Sequence, residues 1–388
     1  MAKFISTGDK ERKLNLKRNK FLEMVRRFPG VSRQTIAETL RISTFNISHL
    51  TRDLIQEQVV LEKDDPKNEP QGQGRPSKPL YINGQFDYFA GVDLEASCWR
   101  MVIIDFEGQT VFEHEEEFIE ATSAEGYISQ LSENLKTAID KSGELWDKVS
   151  CLAFGAPGSL DRETGTVLRF EILPHFENIP VLDLYKEITK KEVVLSDNIS
   201  NLAVYDQWTR SEAADKTVLH FAIRSGIKTI LVNHDELYIG KNNYSGEIGF
   251  LPLEFGNPNS PNLHSAISQK SLKQKLPSID SKFWEGDSET VNAVFNNSDH
   301  QVVLNEFSKV LAASLKSMIY LYDPDEVVVH SSLFKSPNLL WDKVMEKFNQ
   351  QIEERYFAPP PVTASEEPAN SAAIGAAFRA LHNMYPTN

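Results

Sequence analysis

Apolar side chains at Leu14, Leu16, Phe21, Leu22, Val25 and Phe28 recur close to the 3.6-residue period until Pro29-Gly30 interrupts them, which predicts a first helix over residues 14–27. Ser32 is a good N-cap for a short second helix with Ile36, Ala37 and Leu40 inward. Ser43 then caps a third helix that buries Ile47, Leu50, Leu54 and Ile55. Two short helices joined by a tight turn, with small Ala37 where they must approach, are the arrangement that presents the third helix to a DNA major groove. The outer face of that helix carries Thr44, Asn46, His49 and Arg52, and Asn and Arg can make bidentate contacts to adenine and guanine edges. A strand over 59–62, a polar Gly/Pro-rich segment over 63–76 and a returning strand over 80–82 complete a wing. Its tip holds Gly72, Gly74, Arg75 and Pro76, a slim backbone able to carry one guanidinium into a narrow minor groove. The plainer readings are a packed helical cap for the three helices and a linker for 63–73.

From Tyr88 the period changes. Strand-like runs cover 89–93, 100–105 and 110–115, followed by a helix over 124–141, which points to α/β architecture. A further strand is expected over 326–329. The final helix, 371–381, presents small residues on successive turns and suits close packing on a sheet. The acidic run 113–120 and the polar stretch 286–300 read as solvated surface.

Charge sharpens the division. The chain has 388 residues, too many for one ordinary core, and a net charge of −14 that would oppose nucleic acid if evenly spread. It is not even. Residues 1–84 hold 16 of the 41 Lys+Arg and 10 of the 55 Asp+Glu, so the head carries +6 and the remainder −20. From Lys3 to Arg52 twelve basic residues face four acidic ones, the attraction that phosphate binding requires. No stretch approaches eighteen apolar residues, so neither a membrane span nor a signal peptide is expected, and the protein is read as cytoplasmic. The two cysteines, Cys98 and Cys151, are far apart with no Cys/His cluster near either, which leaves no disulfide framework and no zinc site.

Gly91-Val92-Asp93 at the start of the first strand, followed by two antiparallel strands and a helix, is the layout of the actin-like sugar-kinase domain. The segment Gly155-Ala156-Pro157-Gly158-Ser159-Leu160-Asp161, with Thr164-Gly165 after it, resembles the G-x-P-G-x-(V/L)-D-x-x-T-G signature of the ROK family of repressors and kinases. Ser32-Arg33, Ile42-Ser43 and Gly74-Arg75-Pro76 are similar to the head of that family's sugar-responsive repressors. The resemblance covers essentially the whole chain and implies a winged helix-turn-helix followed by a two-lobed actin-like/sugar-kinase fold. The domains implied are residues 1–84 for the head, 85–198 for a first lobe completed by the C-terminal helix 371–388, and 199–370 for a second lobe with the dimer contact and effector cleft.

Within the resemblance, the positions that carry kinase chemistry fail one by one. Where family kinases resemble D-x-G-G-T, here Asp93-Leu94-Glu95-Ala96-Ser97 puts a carboxylate in place of phosphate. The second phosphate loop, Arg224-Ser225-Gly226-Ile227-Lys228, keeps one of three glycines, and His330-Ser331 replaces the adenine-side Gly-Gly. The catalytic V-x-N-D-x-N pattern reads Val194-Leu195-Ser196-Asp197-Asn198-Ile199, with an amide where the proton acceptor belongs. No ligand of the family zinc site survives in Glu247-Ile248-Gly249-Phe250 or around His264.

The resemblance therefore implies no catalytic residue, cofactor or metal. It assigns DNA contact to Ser32, Arg33, Ser43, Thr44, Asn46, His49, Arg52 and Arg75, and effector contact to Asp197, Asn198, Glu247 and His264, with Phe250 able to stack on a sugar face. The expected protein is a DNA-binding regulator, a repressor, acting as a homodimer or dimer of dimers on a palindromic operator and sensing a sugar or sugar derivative. Two other readings stay open on the sequence: a sugar kinase with a DNA-binding head, and a regulator with an empty cleft that answers to a protein partner. Arg75→Ala is expected to weaken A·T-rich duplexes preferentially in a binding titration. A uniform loss across sequences would make Arg75 a phosphate contact instead.

Overall fold

The computed structural model describes residues 7–63, 78–210, 215–234, 236–241, 244–334, 338–352 and 358–387. Three helices, α1 (Thr7–Arg27), α2 (Arg33–Leu40) and α3 (Thr44–Gln56), form the head with the antiparallel pair β1 (Val60–Glu62) and β2 (Leu80–Ile82). The caps fall where the serines predict. Ser32 Oγ accepts the Thr35 N–H at 3.1 Å, and Ser43 Oγ accepts that of Asn46 at 3.3 Å. Between them Arg41 adopts a left-handed conformation, φ 54°, that turns the chain from α2 into α3. Phe21, Leu22, Val25, Ile36, Ile47 and Leu54 are completely buried. Three members of the predicted stripe are not: Leu16 is half-buried, Leu14 is 64% exposed and Phe28 44%. Leu14 sits about two turns ahead of Phe21, and Phe28 follows the last helical residue, so neither meets the core.

The body repeats one topology twice. In the first lobe, β3 (Tyr88–Leu94), β4 (Cys98–Asp105) and β5 (Thr110–Glu117) make an antiparallel meander. After α4 (Ala124–Ser142) and α5 (Glu144–Asp147), β6 (Val149–Ala156) pairs parallel to β3. A small sheet of β7 (Ser159–Asp161), β8 (Thr166–Arg169) and β9 (Glu177–Ile179) precedes α6 (Val181–Thr189). Then β10 (Glu192–Asp197) pairs parallel to β6, giving the order β10-β6-β3-β4-β5. Helix α7 (Asn198–Thr209) leads to the second lobe.

There β11 (Thr217–Ile223), β12 (Ile227–Asn233) and β13 (Glu236–Tyr238) form the second meander. Helices α8 (Leu263–Ile267), α9 (Gln269–Lys275), α10 (Ser281–Trp284), α11 (Ser288–Asn296) and α12 (Ser298–Tyr322) follow. β14 (Glu326–His330) pairs parallel to β11, and after α13 (Leu339–Gln351) β15 (Val362–Ala364) pairs parallel to β14. The order β13-β12-β11-β14-β15 is that of the first lobe, strand for strand. The stretch 286–300 is not the solvated surface that its polarity suggests. It forms α11 and opens α12, with Val291 fully buried and Val294 and Phe295 packed on the same core at helical spacing. Most of the acidic run does lie outward, residues 113–117 on β5 at an edge of the first sheet, where charge discourages pairing with another chain, but Phe118 within the run turns into the core.

The last helix, α14 (Ser371–Met384), returns to the first lobe and covers the face of its sheet opposite α4 and α6. Along β3 and β4 alternate residues go to alternate faces: Phe89, Val102 and Ile104 face α14, whereas Ala90, Met101 and Ile103 join the α4 side. Small residues make this seam. A Cβ on Gly91 would lie 2.0 Å from the Ala373 carbonyl oxygen, and one on Gly375 would lie 1.9 Å from that of Asn201 in α7. The same apolar cluster runs on into the head, so Phe21, Leu22 and Val25 of α1 share one core with Phe106, Phe378 and Leu381. Arg26 is buried at this joint. Its Nε donates to the Phe106 carbonyl at 2.8 Å, and its guanidinium stands 4.6 Å over the Phe106 ring. Asn19 Nδ2 donates to the Pro386 carbonyl at 2.8 Å. Among the described residues no helix is long and apolar enough to cross a membrane.

Alanine for glycine inside a helix ordinarily stabilises by up to about 1 kcal/mol. At Gly375 the sign is expected to invert, with a loss of about 1–3 kcal/mol or more as two helix backbones are forced apart. Urea denaturation of Gly375→Ala tests this, and a gain in stability would contradict the seam.

Candidate functional site

Two regions gather the predicted residues. On the head, Thr44, Asn46, His49 and Arg52 all lie on the exposed face of α3, opposite buried Ile47, Thr51 and Leu54. Ser32 and Ser43 stand at the N-termini of α2 and α3 and spend their hydroxyls on capping. Arg33 reaches across to Glu62, so its guanidinium ties α2 to β1. Arg75 lies outside the described residues, as does the expected wing segment from 64 to 77. A fifth exposed side chain on this face, Phe45, is absent from the sequence prediction, which selected hydrogen-bonding residues alone; Phe45 is 70% exposed and touches the His49 ring edge-on at 4.7 Å.

The other four predicted residues, Asp197, Asn198, Glu247 and His264, line a single cavity of about 370 Å³ between the lobes, together with Phe250. β10 delivers Asp197 to the cleft, and that residue then caps α7: its Oδ1 accepts the Ser200 N–H at 2.8 Å and the Ser200 hydroxyl at 3.1 Å. Asn198 Nδ2 donates to the Leu94 carbonyl at 3.0 Å, joining the ends of β10 and β3. His264 Nδ1 accepts the Ile227 N–H at 3.1 Å, which leaves its proton on Nε2, and the ring lies edge-on to Phe250 at 4.9 Å. Burial, only partly opposed by Glu171, pushes the His264 pKa down and favours this neutral form.

Two cations that the sequence prediction did not pair occupy the floor of the cleft. Lys228 on β12 of the second lobe places its ammonium 2.7 Å from Asp197 Oδ2 and 2.8 Å from Glu247 Oε1. Burial would lower its pKa, but the two carboxylates outweigh this and raise it, so the ammonium stays charged. Arg224, in the turn between β11 and β12, approaches Asp93 at 3.3 Å and Glu95 at 3.4 Å, while Arg100 binds Glu95 at 2.8 Å. Asp93 is completely buried, and that burial raises its pKa against the pull of Arg224. Burial also works to raise that of Glu95, but Arg224 and Arg100 prevail and lower it.

These two cations stand in the loop that aligns with the kinases' phosphate-binding glycines. They meet carboxylates, Asp93, Glu95 and Asp197 from the opposite lobe and Glu247 from their own, where a nucleotide and its phosphates would require backbone N–H groups. Asp197, with both oxygens committed to Ser200 and Lys228, is poorly placed to take a proton from a substrate hydroxyl. Lys228 itself retains a third N–H for a cavity ligand. Among the described residues no group of His, Cys, Asp and Glu is arranged to hold a metal ion.

The ROK family model matches residues 89–383. The chain belongs to the ROK family. Similar proteins include the xylose repressor of Caldicellulosiruptor bescii, 19% identical over 339 residues that cover 83% of this chain and 84% of that one. The DNA-binding transcriptional dual regulator NagC of Escherichia coli is 20% identical over 369 residues, 91% of this chain and 89% of NagC. A glucokinase of Thermotoga maritima is 21% identical over 309 residues, covering 74% of this chain and 95% of the enzyme. Among solved structures, a ROK family transcriptional regulator described as a homolog of the E. coli MLC protein superposes with a TM-score of 0.74 at 16% identity, covering 95% of this chain and 96% of that one. The expected architecture is thus the observed one: an α/β ROK fold with two mixed sheets, preceded by a helical head that the regulator structure shares.

Removing Lys228 would leave two carboxylates facing each other in a largely buried site. Lys228→Met is expected to cost about 3 kcal/mol in urea denaturation, and the triple change Lys228→Met/Asp197→Asn/Glu247→Gln to recover most of it. A single variant within about 0.5 kcal/mol of the parent would show that the triad does not hold the lobes.

Proposed function

We propose that this ROK protein is a sequence-specific DNA-binding transcriptional repressor. In this reading its kinase-like body carries out no phosphoryl transfer, forms a homodimer or dimer of dimers, and senses a sugar or sugar derivative in the cytoplasm. The basic head against the acidic body supports DNA as the partner of the head alone. Matches to the regulators cover 83% and 91% of the chain, whereas the match to the glucokinase spans 74%. Two heads related by a two-fold axis would read a palindromic operator. The relatives' names offer xylose and N-acetylglucosamine as ligand classes to try first.

One observation carries the coupling of sensor to reader. Helix α7 begins at Asp197 in the cleft, and its 12 residues extend about 18 Å toward the head. Near its other end, the Trp208 ring packs at a tilt on Phe378 of α14, 4.2 Å between centroids. The Arg26 and Arg27 guanidinium carbons of α1 stand 5.9 and 5.7 Å from the Trp208 ring. One rigid element therefore touches both the ligand cavity and the helix that anchors the head. A ligand that binds one lobe arrangement better than the other would shift the position of α7, and with it the spacing of paired heads.

The test uses the full chain and duplexes selected from a random pool, titrated with xylose, glucose and N-acetylglucosamine in turn. One sugar is expected to change duplex affinity by about 5- to 150-fold, and Trp208→Ala to shrink that change while leaving sugar binding in place. Sugar-dependent ADP release from ATP would overturn the regulator reading in favour of the kinase.

A further inference from the structure

We propose that Phe45 reads the 5-methyl group of thymine in the major groove. This inference rests on the DNA-binding reading of the head. On α3, residues 45, 49, 52 and 56 fall on one stripe at 100° per residue, and Phe45, His49, Arg52 and Gln56 are all exposed there while Ile47, Thr51 and Leu54 turn inward. In a helix-turn-helix the N-terminal residues of the third helix are the ones that meet base edges. Phe45 is the second residue of that helix.

Its chemistry sets it apart from the rest of the stripe. Every other member can donate or accept a hydrogen bond, whereas Phe45 offers only a ring, 70% exposed. The head has an apolar core nearby, and this ring stays out of it. The edge-on contact with His49, 4.7 Å between centroids at 65°, holds the ring against the exposed face instead of letting it swing freely. In the major groove the one apolar feature that distinguishes a base pair is the thymine C5-methyl, and Phe is among the side chains that contact it. Asn46, adjacent in the first turn, has the amide that pairs with adenine N6 and N7. The two side by side suit an A·T step at the same place in each half-site, with hydrogen-bond readout by Asn46 and methyl readout by Phe45.

The size of the effect follows from the burial of one methyl, about fourfold in affinity for each thymine contacted. The experiment takes the tightest duplex selected by the full chain from a random pool. Each thymine is then replaced in turn by uracil, which keeps every hydrogen-bonding group and removes only the methyl. Wild-type protein is expected to lose about fourfold at one position per half-site. Phe45→Ala is expected to bind the thymine and uracil duplexes equally there and to keep its discrimination at all other positions. Because the ring is exposed, the thermal midpoint of the variant should match the parent, which separates lost readout from lost fold. If no thymine is sensitive, or if Phe45→Ala discriminates as the parent does, the methyl assignment is wrong while DNA binding stands. If the full chain selects no duplex at low salt, the DNA-binding reading fails first and takes this one with it.

Discussion

The structure depends on one close approach: α14 lies against β3 and α7 with no room for a side chain at Gly91 or Gly375. That contact brings three things to one place. It seals the open face of the first sheet, it fixes the helix whose N-cap stands in the cleft, and it presents Phe378, Leu381 and His382 to the first helix of the head. Because tightly packed interiors move as units and do not deform continuously, a shift of α7 has few places to go except into α14 and α1. The half-buried Glu23 illustrates how firmly the head is set. Burial by itself would raise its pKa, yet His382, Arg26 and Arg27 together hold its carboxyl well below the usual range.

The cleft shows how a fold built for phosphoryl transfer can keep its shape without its ligands. In a kinase a nucleotide and a sugar bridge the two lobes. Here Arg224 and Lys228 reach across instead to Asp93, Glu95 and Asp197, and Glu247 of their own lobe also holds Lys228. Truncating one partner of such a set leaves stranded charge, so the cations and carboxylates constrain one another. The cavity that remains beside them is large enough for a small polar ligand and is lined by both lobes.

Much of this was legible in the sequence, for local reasons. Ser32 and Ser43 announce helix starts because capping is a matter of three residues, and the glycine and proline spacing of 155–165 carries the family signature within one short contiguous stretch. The β-strands of the first meander were visible from their period, but β7, β8, β9, β13 and β15 are three or four residues long, too short to show one, so the duplicated topology emerged only in three dimensions. The partners of Arg224 and Lys228 were hidden for a different reason: Asp93 lies 131 residues from Arg224, and Asp197 lies 31 from Lys228 on the opposite lobe. Sequence spacing reports nothing about such pairs. Phe45 was overlooked because the outward face of the third helix was read for hydrogen-bonding side chains alone, and its 70% exposure shows only in the fold.

The central claim is that an electropositive reader of DNA is mounted on a kinase-shaped body that does not turn over ATP. Its most direct test is the affinity of the intact chain for duplex DNA as salt rises from about 50 to 200 mM, with and without ATP and magnesium. The account predicts a steep linear fall of log affinity with log salt and no change on adding nucleotide. Salt-independent binding, or a nucleotide-dependent shift accompanied by hydrolysis, would contradict it.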